Sequence, residues 1–162
     1  MDRLKTIVLG ASGLVAQRLQ QRLYQHPWFE LSAIAGRSER KGEFLDSIQW
    51  KLDEKRPTFD SIKIEDVYDA DLPKKLYDAG IRVAFSALPS KHALQVEPMW
   101  AQSGITVFSN ASSYRQTEGV PLVIPEINRD MLAQLGAVGH PLACATNCTL
   151  LPIIMPLSLI HI

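Results

Sequence analysis

Short apolar runs alternate with longer amphipathic stretches along most of the chain, and each run stops at a small or turn-forming residue. The first, Leu4-Lys5-Thr6-Ile7-Val8-Leu9, stops at Gly10. A run without strict alternation predicts a strand covered on both faces. In residues 14–24, Leu14, Arg18, Leu19, Arg22 and Leu23 stand at helical spacing. His26-Pro27 is expected to end that helix, because the residue before proline is pushed out of the α region. Residues 31–35 predict a second strand, ended by Gly36-Arg37-Ser38. Residues 39–71 break the rhythm with scattered Lys, Arg, Glu and Asp. They predict an irregular excursion with one short strand at 62–64, pinned to the body by Trp50 and Phe59. Loops of this length are often functional.

The alternation then resumes. Residues 72–79 predict a short helix, with Pro73 near its start and Gly80 closing it. Residues 81–85 predict a strand whose exit loop is Ser86-Ala87-Leu88-Pro89-Ser90. A helix over 92–102 ends at Gly104, and a strand over 105–108 leads into residues 109–115. A further strand at 122–124 lies between Pro121 and Pro125, and Asn128 is expected to cap a helix running to about 135. The strand at 142–145 runs into Thr146-Asn147-Cys148-Thr149. Strands alternating with helices predict a Rossmann-like α/β fold, a doubly wound and mostly parallel sheet with helices on both faces.

The loop Gly10-Ala11-Ser12-Gly13 between the first strand and first helix is the main candidate for chemistry. Glycine turns with positive φ and lets a ligand approach the backbone. The amide groups opening the next helix attract an anion. The G-x-x-G-x-x-A spacing fits a nucleotide loop, and it also fits a plain strand–turn–helix corner. After the second strand, dinucleotide folds use an acid for a ribose hydroxyl or an arginine for a 2′-phosphate. Arg37 and Ser38 stand there with no acid before Glu39, which favours NADP over NAD if Arg37 is more than a solvated loop residue. Ser86, Ala87, Leu88 and Pro89 follow a strand, the edge at which such sheets bind ligands.

Length and charge narrow the classes further. The 162 residues suit one domain that buries a substantial core, and the formal net charge is zero. Nothing in that balance points to nucleic acid or to an anionic membrane. Cys144 and Cys148 are the two cysteines. They suggest neither a disulfide framework nor a zinc site. With no signal-peptide pattern and no span-length apolar run, the chain reads as cytoplasmic. Cys144 sits within an apolar strand and reads as a core thiol. Cys148 follows a strand, where a helix start would lower a thiol's pKa and favour the nucleophilic thiolate.

Together, several stretches resemble the amino-terminal part of the aspartate-semialdehyde dehydrogenases. They are Gly10-Ala11-Ser12-Gly13-Leu14-Val15-Ala16, His26-Pro27-Trp28-Phe29-Glu30-Leu31, the 86–90 loop, Val107-Phe108-Ser109-Asn110-Ala111 with Tyr114-Arg115, Pro121-Leu122-Val123-Ile124-Pro125-Glu126-Ile127-Asn128, and Asn147-Cys148-Thr149. The His-Pro-Trp-Phe-Glu and Pro-Glu-Ile-Asn stretches resemble the branch shared by archaea and fungi. The resemblance implies NADPH-dependent reduction of aspartyl phosphate to aspartate semialdehyde, a step toward lysine, threonine and methionine. It implies that Cys148 attacks the acyl carbon, that phosphate leaves, and that hydride from NADPH reduces the thioester. Asn110 would orient the substrate and Arg115 hold its phosphoryl group. Gly10, Ser12, Gly13, Leu14 and Val15 would line the pyrophosphate, and Arg37 and Ser38 the adenosine-phosphate end.

The family's general base is a histidine well downstream of the cysteine, and His26, His92, His140 and His161 match no such position. The match fades over residues 158–162. The expectation is therefore an amino-terminal piece of a homo-oligomeric enzyme, unable to turn over alone. Residues 1–147 would form its NADP-binding domain, and 148–162 the start of the cysteine helix leading to a second domain. N-acetyl-glutamyl-phosphate reductases and malonyl-CoA reductases share the loop and the cysteine, and a non-catalytic NADP-binding module remains a further reading.

Overall fold

The apolar runs pair side by side, so their backbone groups bond to neighbouring strands instead of to water. In the computed structural model, which describes residues 2–59, 61–137 and 139–160 (of Ile160 the backbone only), the strands are β1 (Leu4–Leu9), β2 (Phe29–Gly36), β3 (Ile64–Asp66), β4 (Val83–Ser86), β5 (Thr106–Ser109), β6 (Leu122–Val123) and β7 (Leu142–Ala145). Their order across the sheet is β3-β2-β1-β4-β5-β7-β6. Every adjacent pair is parallel. The α-helices are α1 (Leu14–Leu23), α2 (Leu72–Asp78), α3 (Ser90–Gln102), α4 (Pro125–Asn128) and α5 (Leu151–Ile160). This is the expected Rossmann-like, doubly wound arrangement. The chain order reverses between β1 and β4, so the crevice beyond their carboxyl ends is the natural ligand position. His161 and Ile162, part of the tail where the family match fades, lie outside the described residues.

One face of the sheet packs on α2 and α3. Ile7, Leu9, Ala84 and Val107 meet Leu72, Ala93, Val96 and Trp100 there. Full burial of a side chain such as Ile7 or Leu9 contributes about 1.5–3 kcal/mol. Pro98 lies inside α3 and has no amide hydrogen to give the Leu94 carbonyl. The Tyr114 hydroxyl donates to that carbonyl instead, at 2.7 Å, and so anchors the segment after β5. The opposite face carries Val8, Ala16, Leu23, Ile34, Leu45, Ile48 and Ile64 under α1 and the polar excursion. Further along this face Phe85 and Phe108 stack with centroids 5.9 Å apart. They border a cavity of about 280 Å³ together with Val123, Leu132 and Ala143.

Several local expectations are corrected. The buried stripe of α1 is Ala16, Gln17, Gln20 and Leu23, while Leu14 is more than half exposed. Two glutamines can be buried because each satisfies loop backbone. Gln17 donates to Gln49 O at 2.8 Å and accepts from Lys51 N at 2.7 Å, and Gln20 donates to Ala11 O at 2.9 Å. The excursion's strand lies at Ile64–Asp66, two residues later than expected. Leu45 and Ile48 pin the excursion, with Phe59 beside them. Trp50 donates to Glu54 O and lies under the Arg56 guanidinium, so it holds the loop to itself. In place of the expected helix to about 135 there is a 3₁₀ helix, Arg129–Gln134, with Asn128 at its N-cap position but without a side-chain cap. Asn128 closes α4, and its side chain turns back to Ile124 N and Leu122 O at 2.7 and 2.9 Å. Side-chain amides of this kind compete with the helix for backbone partners.

Candidate functional site

The glycine loop is shaped by its first glycine. Gly10 has φ +103°, and a Cβ there would meet Ala87 O at 3.3 Å. Gly10 N donates to Ala35 O at 2.7 Å, and Ala87 N donates to Leu9 O at 2.8 Å. The chain thus leaves β1 pressed between the exits of β2 and β4. Gln20 holds Ala11 from below. Gly13 then stands at the N-cap of α1 with ordinary φ −76° and no side-chain cap. The first turn of α1 has no acidic residue. Its leading amides therefore face outward as donors, which suits an anion. A Cβ on Gly13 would find nothing within 4 Å, so open space lies where a pyrophosphate would rest. The donors and the space fit a dinucleotide.

The exits of β2 and β3 converge beside this loop. A Cβ on Gly36 would lie 3.3 Å from Ala11 Cβ and 3.1 Å from Ile64 Cγ2, so small residues keep the two loops in contact. Arg37 is exposed at the start of a short 3₁₀ turn. Ser38 Oγ donates to Asp66 Oδ1 at 2.9 Å, and Tyr68 N donates to the same oxygen at 3.0 Å. The sequence reading missed Asp66 because its carboxylate arrives from β3, twenty-eight positions beyond Ser38. Tyr68 is hydrogen-bonded in turn to the ring of His92 on α3.

The exits of β4, β5 and β7 make the other half. Ser86 O accepts from Asn110 N at 3.0 Å and from Asn110 Nδ2 at 3.2 Å. Arg115 donates through Nε to Ala145 O at 2.9 Å and through Nη2 to Asn110 O at 2.9 Å and Thr146 O at 3.2 Å. A single guanidinium therefore ties the Asn110 loop to the strand end that leads to Cys148. Asn147 Oδ1 accepts from Thr149 N at 2.8 Å and from Thr149 Oγ1 at 2.7 Å, a local turn that carries Cys148 on its crest. Cys148 is a free, exposed thiol. Helix α5 starts three residues later than Cys148, so the expected helix-start position for the sulfur is corrected. Cys144 is buried as expected, and burial with help from the nearby Glu97 pushes its pKa up to about 11.

Gly10, Ser86, Ala87, Asn110 and Arg115 are thus linked through successive contacts along one edge of the sheet. Ser12, Gly13, Leu14 and Val15 open α1 on that edge, and Arg37 and Ser38 lie past Gly36 at the far end. Leu88 and Pro89 continue the β4 exit into α3. Among the described residues, no side-chain hydrogen bond joins Cys148 to the rest. Beside its loop lies an apolar cavity of about 580 Å³ between α4 and α5, lined by Ile124, Ala145, Leu151 and Met155 among others. The residue most plainly missed is Glu97. It is fully buried, and its Oε1 accepts from Ser109 Oγ at 2.7 Å. Its signal was present as an acid on the same helical stripe as Ala93 and Trp100.

Comparison with known proteins agrees with this fold. Residues 5–135 match the family described as semialdehyde dehydrogenase, NAD binding domain. An aspartate-semialdehyde dehydrogenase of Archaeoglobus fulgidus is 42% identical over 126 residues, covering 77% of this chain and 35% of that protein. One from Saccharomyces cerevisiae is 30% identical, covering 93% of this chain and 43% of that protein. The crystal structure of the Candida albicans aspartate-semialdehyde dehydrogenase with NADP superposes with a TM-score of 0.77 at 31% identity, over 91% of this chain and 44% of that one. The chain thus spans less than half the length of these relatives.

Proposed function

This chain belongs to the semialdehyde dehydrogenase family through its NAD-binding domain, and we propose that it is the cofactor- and cysteine-bearing part of an NADPH-dependent aspartate-semialdehyde dehydrogenase. Its reaction would be the reductive dephosphorylation of aspartyl phosphate. The observation that carries this reading is Arg115, which holds the Asn110 loop against the strand end leading to Cys148. An acyl phosphate needs those three functions in one place: an orienting amide, a cation for the phosphoryl oxygens and a thiolate for the acyl carbon. Arg115 donates to the carbonyls of Ala145, Asn110 and Thr146 through Nε and Nη2, and Nη1 is the part of the fork left for a phosphate oxygen. Cys148 forms the sulfur–carbon bond as the carbon–oxygen bond to phosphate breaks, which divides one difficult step into two. A bound nicotinamide cofactor would supply the hydride that reduces the thioester carbon, with the Cys148 thiolate leaving as the sulfur–carbon bond breaks.

The cofactor is NADP in this reading. Arg37 is exposed and makes no ion pair among the described residues, so its charge is available to a 2′-phosphate. Asp66 favours the opposite reading, NAD, since a carboxylate can accept from a ribose hydroxyl. Its Oδ1 already accepts from Ser38 and Tyr68, which supports NADP. Residues 1–147 are the cofactor domain and 148–162 open the segment beyond it. The two free thiols suit a reducing, cytoplasmic compartment. Among the described residues no helix is long and apolar enough to cross a membrane.

Fluorescence titration with NADPH and NADH tests the cofactor, and mass spectrometry after aspartyl phosphate tests acylation of Cys148. The reading expects tighter NADPH binding and an aspartyl adduct on Cys148, without steady turnover by this chain alone. Failure to bind either nucleotide overturns it. An adduct formed from an acyl-CoA and not from aspartyl phosphate would move the substrate to the acyl-CoA reductases.

A further inference from the structure

Glu97 lies on α3, fully buried, beneath the sheet edge that carries the candidate site. No ion pair among the described residues involves it. Its Oε1 accepts from Ser109 Oγ at 2.7 Å, and Ser109 Oγ accepts in turn from Ala111 N at 3.1 Å. Its Oε2 is buried without a partner, and so is the Ser86 hydroxyl on the neighbouring strand. Both serines are the last residues of their strands, β4 and β5. They immediately precede the Ala87 loop and Asn110.

We propose that Glu97 is a neutral carboxylic acid and a positioning residue, joining Ser86 to Ser109 so that the cofactor loop after β4 and Asn110 after β5 hold a fixed spacing. A hydrogen bond between Oε2 and Ser86 Oγ would satisfy both orphaned atoms; a proton on Oε2 makes that bond without leaving a buried charge, while Ser109 donates to Oε1. An ionised carboxylate with no counter-charge would instead carry a desolvation cost of several kcal/mol. The remaining titratable groups facing it, Tyr114 and Cys144, are both held toward their neutral forms chiefly by burial. Burial likewise pushes the Glu97 carboxyl up, against the opposing pull of the Ser86 and Ser109 hydroxyls. The spacing matters because Ser86 O accepts both the backbone and side-chain amides of Asn110. A shift at either strand end moves the two candidate ligand loops together.

The inference rests on the NADPH-binding reading for its functional half, while its chemical half can be measured without cofactor. Glu97→Gln reproduces a neutral acid, with a carbonyl for Ser109 and an N–H for Ser86. It is expected to bind NADPH within about twofold of the unaltered chain. Glu97→Ala leaves two hydroxyls unpaired and is expected to weaken binding by about tenfold or more while its circular dichroism is retained. Ser86→Ala and Ser109→Ala, each removing one arm, replace it if Glu97→Ala fails to fold, and are expected to weaken binding in the same direction. Difference infrared spectroscopy of the unaltered chain against Glu97→Gln at pH 7 is expected to show a protonated-carboxyl band. Absence of that band, or binding by Glu97→Gln as weak as by Glu97→Ala, overturns the inference. Unchanged binding in both serine variants overturns it as well. If the unaltered chain binds no NADPH, the function reading falls, and the infrared band still decides whether Glu97 is neutral.

Discussion

Replacing Gly10 and Gly13 by alanine should separate what the glycine loop does for the fold from what it does for a ligand. At Gly10 a side chain meets two penalties. The backbone has φ +103°, a region that costs a residue with a Cβ about 1–3 kcal/mol. The Cβ would also press on Ala87 O at 3.3 Å and Ala87 C at 3.4 Å. Those are backbone atoms, held by the Ala87 N to Leu9 O bond of 2.8 Å, and forcing them aside adds about 1–2 kcal/mol. Reduced freedom of the unfolded chain returns about 0.4–1 kcal/mol. Gly10→Ala should therefore cost about 2–4 kcal/mol, or roughly 5–15 °C in Tm for a domain of this size.

Gly13 has neither penalty, since φ is −76° and a Cβ there meets nothing within 4 Å. Alanine is a poorer N-cap than glycine, and the unfolded-state gain offsets that loss, leaving a change within about 0.5 kcal/mol. Its methyl would nevertheless occupy the space proposed for pyrophosphate and weaken NADPH binding by about tenfold. Urea denaturation followed by circular dichroism reads the first quantity, and NADPH fluorescence reads the second. A Gly10→Ala loss below about 0.5 kcal/mol would refute the backbone argument. Unchanged NADPH affinity in Gly13→Ala would refute the placement of the ligand.

Further outcomes follow from the same geometry. Iodoacetamide at pH 8 should label exposed Cys148 in the native chain and leave Cys144, buried with its pKa near 11, unlabelled until denaturant is added; comparable native labelling of both would contradict the placement. Arg115→Lys loses the planar fork that reaches three carbonyls and should cost about 1–2 kcal/mol, with a slower Cys148 acylation in mass spectrometry; unchanged urea midpoint and acylation would argue against the clamp. Burial raises the folded-state pKa of Glu97 above its ordinary value of 4.5. As pH rises past that value the unfolded state loses its proton first, so this group's stabilising contribution falls until the folded pKa is passed. Glu97→Gln carries no such proton, and its stability relative to the unaltered chain should climb as pH rises above 4.5. Parallel pH profiles for the two chains would refute that sign.

The strands were legible because a strand buried on both faces writes itself as a local apolar run. The runs ending at Gly10 and Gly36 and the run before Asn110 each fell within a residue or two of the observed strands. Helix α1 was legible in extent and misread in face. Periodicity marks aliphatic positions, whereas Gln17 and Gln20 are buried by bonds to loops that sequence spacing does not reveal. The excursion was legible as irregular, but its anchors Leu45 and Ile48 pack in one cluster with Ile34 on β2 and Ile64 on β3, contacts that no local spacing reveals.

The sequence by itself determined which stretches become strands, where the chain turns, and which residue types stand at the strand exits. Those properties depend on neighbours a few positions away: apolar runs, glycine's tolerance of positive φ, proline's missing amide. Tertiary structure decided which exits meet. It set Asp66 against Ser38, gave Arg115 the carbonyls of Asn110, Ala145 and Thr146, and enclosed Glu97 between Ser86 and Ser109. Each of those contacts joins residues made neighbours by the strand order β3-β2-β1-β4-β5-β7-β6 or by a helix packed across it. The opening glycine loop is legible from ten residues, but the ligand edge around it exists only because parallel pairing brings every strand's carboxyl end to the same side of the sheet.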